Sequence, residues 1–183
     1  MPLKPSEGKK RNVTLIAGFN CIDGYIICSD SQETVGDMRA PAEKLSIWTE
    51  GNFEVAIAGS GNNGELIDAF EERFRDELSH NQGVSSLKTL KDLFQTEFQE
   101  FQTTEAVSHS KAERRMRFVM GARFLPTGER ALWSSKATRL KAVDKYALVG
   151  FLDERYKFAI EGYLTPNPMP TIAQGIFLGL YTM

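Results

Sequence analysis

Cysteine and histidine are both scarce in this 183-residue chain, at two each. Two cysteines, Cys21 and Cys28, are too few for a disulfide framework. They lie in strand-like apolar segments, where a free thiol behaves as a small hydrophobe, so both are expected reduced and buried. His80 and His109 stand in polar stretches away from either cysteine. Asp76 precedes His80 by one helical turn, but such a pair supplies too few ligands for zinc, and no metal site is expected. An excess of charge is also missing: 22 basic residues face 24 acidic ones, for a net charge of −2. Nucleic acid is therefore not an expected partner. The basic run Lys9-Lys10-Arg11 reads as a solvated tail. Nothing approaches the roughly 20 apolar residues of a membrane span, and Met1 to Arg11 has no apolar core of a secretory signal. A soluble, cytoplasmic protein with no membrane partner is the expectation. The G-x-S-x-G elbow, the phosphate-binding Gly-Lys-Ser and the dinucleotide fingerprint are all absent, so no cofactor is expected.

What is present is a single domain, residues 14–183, behind a flexible polar leader at 1–13 that carries Pro2, Pro5 and Gly8. Val13–Phe19 reads as a strand, Asp23-Gly24 as a tight hairpin turn, and Tyr25–Asp30 as the returning strand. Gly36, Asp37 and Pro41 mark a loop. Two short strands, Lys44–Trp48 and Phe53–Ala58, flank a turn at Glu50-Gly51-Asn52. Gly59-Ser60-Gly61-Asn62-Asn63 reads as a break leading to a helix cap. Two helices follow, with apolar stripes at Leu66, Ile67, Phe70, Phe74 and Leu78, then Leu87, Leu90, Leu93, Phe94, Phe98 and Phe101. Strands are expected at Met116–Phe124, Arg130–Trp133, Thr138–Val143 and Tyr146–Gly150. Helices are expected at Glu154–Leu164 and Ile172–Tyr181. Strand runs alternating with helix runs indicate an α+β fold, in which two packed sheets carry helices outside as a four-layer αββα sandwich.

Four features fall together. Thr14 opens the first strand, and Asp30 closes the strand that returns from the hairpin. Lys44 begins the next strand, and the small residues Ala58-Gly59-Ser60-Gly61 end the one after it. Antiparallel pairing makes the start of one hairpin strand the neighbour of the end of the other, so Thr14 and Asp30 are expected side by side.

The stretch Thr14-Leu15-Ile16-Ala17-Gly18, followed by Asp23-Gly24, Cys28-Ser29-Asp30-Ser31, Thr34 and Gly36, resembles the opening of a proteasome β subunit or its bacterial relatives, which are N-terminal-nucleophile hydrolases. The match is specific over residues 13–61 and architectural beyond. The resemblance implies that Thr14 becomes the N-terminal nucleophile of a threonine-type peptidase or amidase once the leader is removed. It implies that Asp30 orients Lys44, that Gly59 donates its N–H to the oxyanion, and that Thr34 lies on the strand edge that pairs with the substrate backbone. Gly61, with Glu33 and Ile57, would line a specificity pocket. A peptide or protein substrate and a homo-oligomeric ring are implied; an ATPase partner is left open.

The chemistry agrees with those roles. A free α-amine has a pKa near neutrality and can take the threonine proton. A lysine ammonium favours the developing negative charge, and a backbone N–H at a glycine can approach the oxyanion closely. Three positions depart from the pattern. Val13 stands where processed members carry glycine, the interval from Asp30 to Lys44 is two residues short, and Phe151 falls in a turn that is usually Gly-Ser-Gly. The chain stops in an apolar helix where family members continue, which the resemblance reads either as a C-terminally truncated form of the fold or as a divergent lineage. A non-catalytic relative that only assembles is the alternative.

Overall fold

A computed structural model describes residues 15–30, 32–35, 38–41, 43–150, 154–164 and 169–182. The first hairpin pairs β1 (Leu15–Cys21) with β2 (Gly24–Ser29). It is followed by the short pair β3 (Gln32–Val35) and β4 (Met38–Pro41), then by β5 (Leu45–Glu50) and β6 (Phe53–Gly61). Helices α1 (Gly64–His80) and α2 (Leu87–Thr104) come next. Strands β7 (Met116–Phe124), β8 (Glu129–Lys136), β9 (Arg139–Ala142) and β10 (Tyr146–Gly150) then lead into α3 (Glu154–Leu164) and α4 (Ile172–Thr182). The result is a mixed α+β fold with two principal antiparallel sheets, β10-β1-β2 and β5-β6-β7-β8-β9, beside the separate β3–β4 pair. No helix among the described residues is long and apolar enough to cross a membrane.

The helical stripes do the work their periodicity predicts. Leu66, Ile67, Phe70, Phe74 and Leu78 are all buried on α1. On α2 the buried set is Leu87, Leu90, Phe94, Phe98 and Phe101, with Leu93 packed at its margin. Both helices press on the five-stranded sheet through a knot of rings. Phe70 has Phe74, Phe94, Phe98, Phe101 and Phe118 around it, at centroid separations between 4.8 and 6.3 Å. Fully burying one such side chain contributes about 1.5–3 kcal/mol. Capping fixes where the helices begin: Asn63 Oδ1 accepts from Leu66 N–H at 3.3 Å, and Ser86 and Thr89 form a reciprocal box. Glu97 is buried on α2 because Arg73 of α1 donates to it at 2.9 Å, and the same guanidinium reaches Glu100 and Glu105.

The two principal sheets meet through Ile16, Ala58, Val119, Leu132, Val143, Ala147 and Val149. On its other face the three-stranded sheet is covered by α3 and α4, with Ala17, Phe19 and Cys21 against Ile160, Leu164 and Leu178. Helix α4 lies very close to β1 and β2. A Cβ on Gly179 would stand 2.4 Å from Cys28 Sγ, and one on Gly175 would stand 3.1 Å from Cys21 Sγ. Both thiols are free, as expected. Cys21 is buried and Cys28 only partly so, and burial pushes the Cys21 thiol up to about 11.

Three local expectations need correction. Gln32–Val35 and Met38–Pro41 pair as a ladder where a loop was expected, while Gly36 and Asp37 lie outside the described residues. The first hairpin turns at Ile22-Asp23, because Cys21 pairs with Gly24 and Gly24 is already in the strand. The reason is tertiary. Asp23 Oδ1 accepts the N–H of Ile172 at the start of α4 at 2.9 Å, and a Cβ on Gly24 would meet Ile172 Cδ1 at 2.8 Å. The glycine serves helix docking here, not a left-handed turn. Lastly, Gly59-Ser60-Gly61 is not a break. It is the paired end of β6, opposite Phe118, Arg117 and Met116, and the chain leaves the strand only at Asn62.

Candidate active site

The site grows from the register of the first hairpin. Ile16 pairs with Ser29, which makes Leu15 and Asp30 the next neighbours. They bond reciprocally. Asp30 N–H donates to the Leu15 carbonyl at 3.0 Å, and Leu15 N–H donates to Asp30 Oδ2 at 3.0 Å. The carboxylate is therefore held by the backbone of the first strand, one residue after Thr14 in the sequence. Thr14 itself lies outside the described residues. On the other side of β1, Leu15 pairs with Gly150, whose φ of 111° is open to glycine and costly for other residues. Phe151, which follows it, is outside the described residues.

Lys44 enters from the other sheet. It immediately precedes β5, and its Nζ lies 2.5 Å from Asp30 Oδ1. The lysine side chain is 12% exposed and the aspartate 22% exposed. A charge-assisted bond in such a shielded place is stronger than its counterpart in water. The two oxygens of Asp30 are thus divided, one on an ammonium and one on the backbone beside Thr14. The short interval from Asp30 to Lys44 does not displace the lysine from the carboxylate.

Gly59 closes the arrangement from β6. It is opposite Phe118 of β7, and Phe118 sends its own N–H away to Ser135 Oγ on β8 at 2.7 Å. Backbone groups alternate sides along an antiparallel strand. The Gly59 N–H is therefore turned from β7 toward β5, where the ladder ends at Leu45 and Ala58, beside Lys44. Glycine is required there by packing. A Cβ would come within 2.2 Å of Ile67 Cγ2 and 2.9 Å of Phe118 Cε1. Gly61 is the last residue of β6, hard against the Arg115 carbonyl. Thr34 lies in β3 opposite Arg39, in the separate two-stranded pair. The structure thus brings Asp30 and Lys44 together and sets Gly59 on the adjoining strand end, with Gly61 two residues further along β6, while Thr34 lies in the separate β3–β4 pair.

Sequence reasoning missed two polar residues beneath this strand end. Ser46 Oγ donates to Glu71 Oε2 at 2.7 Å, and Glu71 Oε1 would be 3.3 Å from a Cβ on Gly59. Burial pushes the Glu71 carboxyl up to about 7; the Ser46 hydrogen bond pulls it down and the charge of Asp68 adds to the rise. The signal was available, since Glu71 stands one turn after Ile67 on the buried side of α1. Two open clefts lie elsewhere. One is bounded by Tyr25, Ile47, Arg123 and Arg130, the other by Ser134, Lys141 and Tyr146, and neither is lined by Asp30, Lys44 or Gly59. Among the described residues no group of three metal-ligating side chains occurs.

No protein-family model matches the chain, and no curated protein matches it in sequence. Solved structures do match in fold. Anbu, an ancestral β-subunit, from Yersinia bercovieri superposes with a TM-score of 0.73 at 14% identity, over 92% of this chain and 72% of that one. A Gly-1 mutant of Anbu from Hyphomicrobium sp. strain MC1 gives 0.71 at 15% identity, with the same coverage of both chains. The helical assembly of the Anbu complex from Pseudomonas aeruginosa gives 0.67 at 19% identity, again over 92% and 72%. At these identities the likeness establishes a shared fold.

Proposed function

We propose that this chain is a threonine-type peptidase or amidase of the proteasome β-like kind. Its frame is the four-layer αββα sandwich of N-terminal-nucleophile hydrolases, and Thr14 is its nucleophile once residues 1–13 are removed. The observation that carries this reading is the Lys44–Asp30 pair at 2.5 Å, with the same carboxylate bonded to the N–H of Leu15, the residue after Thr14. The free α-amine of Thr14 takes the proton from its hydroxyl, and the oxygen attacks the substrate carbonyl. Lys44 favours the alkoxide, and Asp30 keeps that ammonium in place. The N–H of Gly59 receives the oxyanion, and the amine passes its proton to the departing nitrogen. Water then hydrolyses the acyl ester and restores the hydroxyl. Thr34 and Gly61 contribute to substrate binding from β3 and from the end of β6.

The substrate is a peptide or protein, and the working form is an assembly of identical copies. One of the fold neighbours is itself a helical assembly, which supports self-association; a closed ring is the finer form of the same proposal. A second reading is favoured by Val13, since a β-branched residue before Thr14 disfavours the tight backbone that self-cleavage needs. In that reading the chain assembles without hydrolysing.

The deciding experiment is mass spectrometry of the purified protein combined with an irreversible threonine-directed inhibitor. A chain that begins at Thr14 and is labelled in wild type, with no label on Thr14→Ala, is the expected result. Equal labelling of both proteins, or an intact leader with no label, overturns the peptidase reading.

A further inference from the structure

The pair formed by Ser46 and Glu71 has no part in the chemistry above, yet it touches both strands that present it. Ser46 is two residues beyond Lys44 on β5. Glu71 projects from α1 toward Gly59 on β6, where a Cβ would meet its Oε1 at 3.3 Å as well as Ile67 and Phe118. We propose that Glu71 is a positioning residue, a prop from α1 that seats the start of β5 and the end of β6, already paired at Leu45 and Ala58, on the helix. This inference rests on the peptidase reading for its catalytic meaning, but not for its geometry.

The prop works through its neutral form. A carboxyl next to Ile67 and Phe118 is poorly solvated, and no described cation pairs with it. The ionisable group acting on it is Asp68, one turn earlier on its own helix, and that charge opposes ionisation. From β5 the hydroxyl of Ser46 donates to it, and on β6 its Oε1 would stand 3.3 Å from a Cβ on Gly59. Protonated, it fits in place as a neutral group bonded to Ser46. Ionised, it is driven toward water, and the contact that sets Gly59 against α1 loosens. The N–H of Gly59 and the ammonium of Lys44 then lose their relative placement, although neither is titrated itself. Because burial raises the Glu71 carboxyl to about 7, this change falls near neutrality.

The test has two arms. In the first, the amide resonance of Gly59 is followed against pH by NMR in wild type and Glu71→Gln, which keeps the volume without the charge. A Gly59 shift with a midpoint near 7 in wild type, absent in Glu71→Gln, is expected; the same titration in both proteins, or none in wild type, overturns the inference. In the second, kcat/KM for a fluorogenic peptide amide is measured from pH 5 to 9. Wild type should lose activity above about pH 7, approaching about tenfold per pH unit. Glu71→Gln should keep the acid-side limb and lose that alkaline one, and Ser46→Ala should shift it. An unchanged alkaline limb in Glu71→Gln also overturns the inference. Absence of any cleavage by wild type defeats the peptidase reading alone, since the amide titration still decides the role of Glu71.

Discussion

Asp30 and Leu15 hold each other by two hydrogen bonds, backbone N–H to backbone carbonyl in one direction and backbone N–H to carboxylate in the other, both at 3.0 Å. The reciprocal grip leaves one carboxylate oxygen free of the hairpin, and Lys44 takes it. A cation is thereby delivered next to the residue that follows Thr14, by a carboxylate that cannot swing away without giving up the N–H of Leu15.

Lys44→Ala should abolish most of the proposed turnover while leaving the fold intact. The expected loss in kcat/KM is on the order of 10²-fold or more, with an unchanged far-ultraviolet circular dichroism spectrum. Lys44→Arg should not restore it, because a planar guanidinium cannot occupy a point-charge position. Full activity in either variant would remove Lys44 from the mechanism.

Gly59→Ala should destabilise the protein by about 1–3 kcal/mol, because its methyl group would overlap Ile67 Cγ2. Coupling to Ile67→Ala follows: the double variant should be less destabilised than the sum of the singles, by about 0.5–3 kcal/mol. Additive values in a denaturant series would mean the two side chains do not compete for that space.

The pH dependence of stability has a definite sign. Glu71 has its folded-state value raised to about 7 from an ordinary 4.5, so the native state holds this proton more tightly than the unfolded chain does. The advantage is complete below about 4.5 and disappears as pH rises toward 7, reaching an upper bound of about 3 kcal/mol. Unfolding free energy of wild type relative to Glu71→Gln should therefore fall between pH 4.5 and 7.5. A flat difference across that range would show that the carboxyl is ordinarily solvated.

Phe70→Ala should cost about 3–5 kcal/mol, since the ring contacts five others and little can move into the void. Loss of cooperativity in thermal unfolding is the measurement to watch. A cost below 1 kcal/mol would contradict the packing described for α1 and α2.

Cys21 and Cys28 should resist alkylation in the native protein at pH 7.5, because Cys21 is buried with its thiol pushed up to about 11 and Cys28 lies under Gly179 of α4. Both should react within minutes in denaturant. Rapid native labelling of Cys28 would show that α4 lifts from β2.

Much of this architecture was open to reading from the chain alone, because it depends on short-range order. Stripes three and four residues apart specify helices whose buried faces can be named, as with Phe70, Phe74, Phe94 and Phe98. A single hairpin between Thr14 and Asp30 indicates which strand ends come near each other, but the reciprocal bonds of Asp30 and Leu15 follow from a turn at Ile22-Asp23, one residue earlier than the local signal. Local signals misled where a longer-range contact overruled them. Asp23-Gly24 looks like the turn, yet the chain turns at Ile22-Asp23 and Gly24 is already paired beneath Ile172 of α4, and Gly59 looks like a break because its lack of a side chain answers to Ile67 rather than to the backbone. The approach of Lys44 to Asp30 joins two sheets, and the lodging of Glu71 under Gly59 joins a helix to the end of a strand. Neither distance is encoded in any window of sequence, because each depends on how far apart packed layers come to rest, and that is settled only when every side chain between them has been fitted.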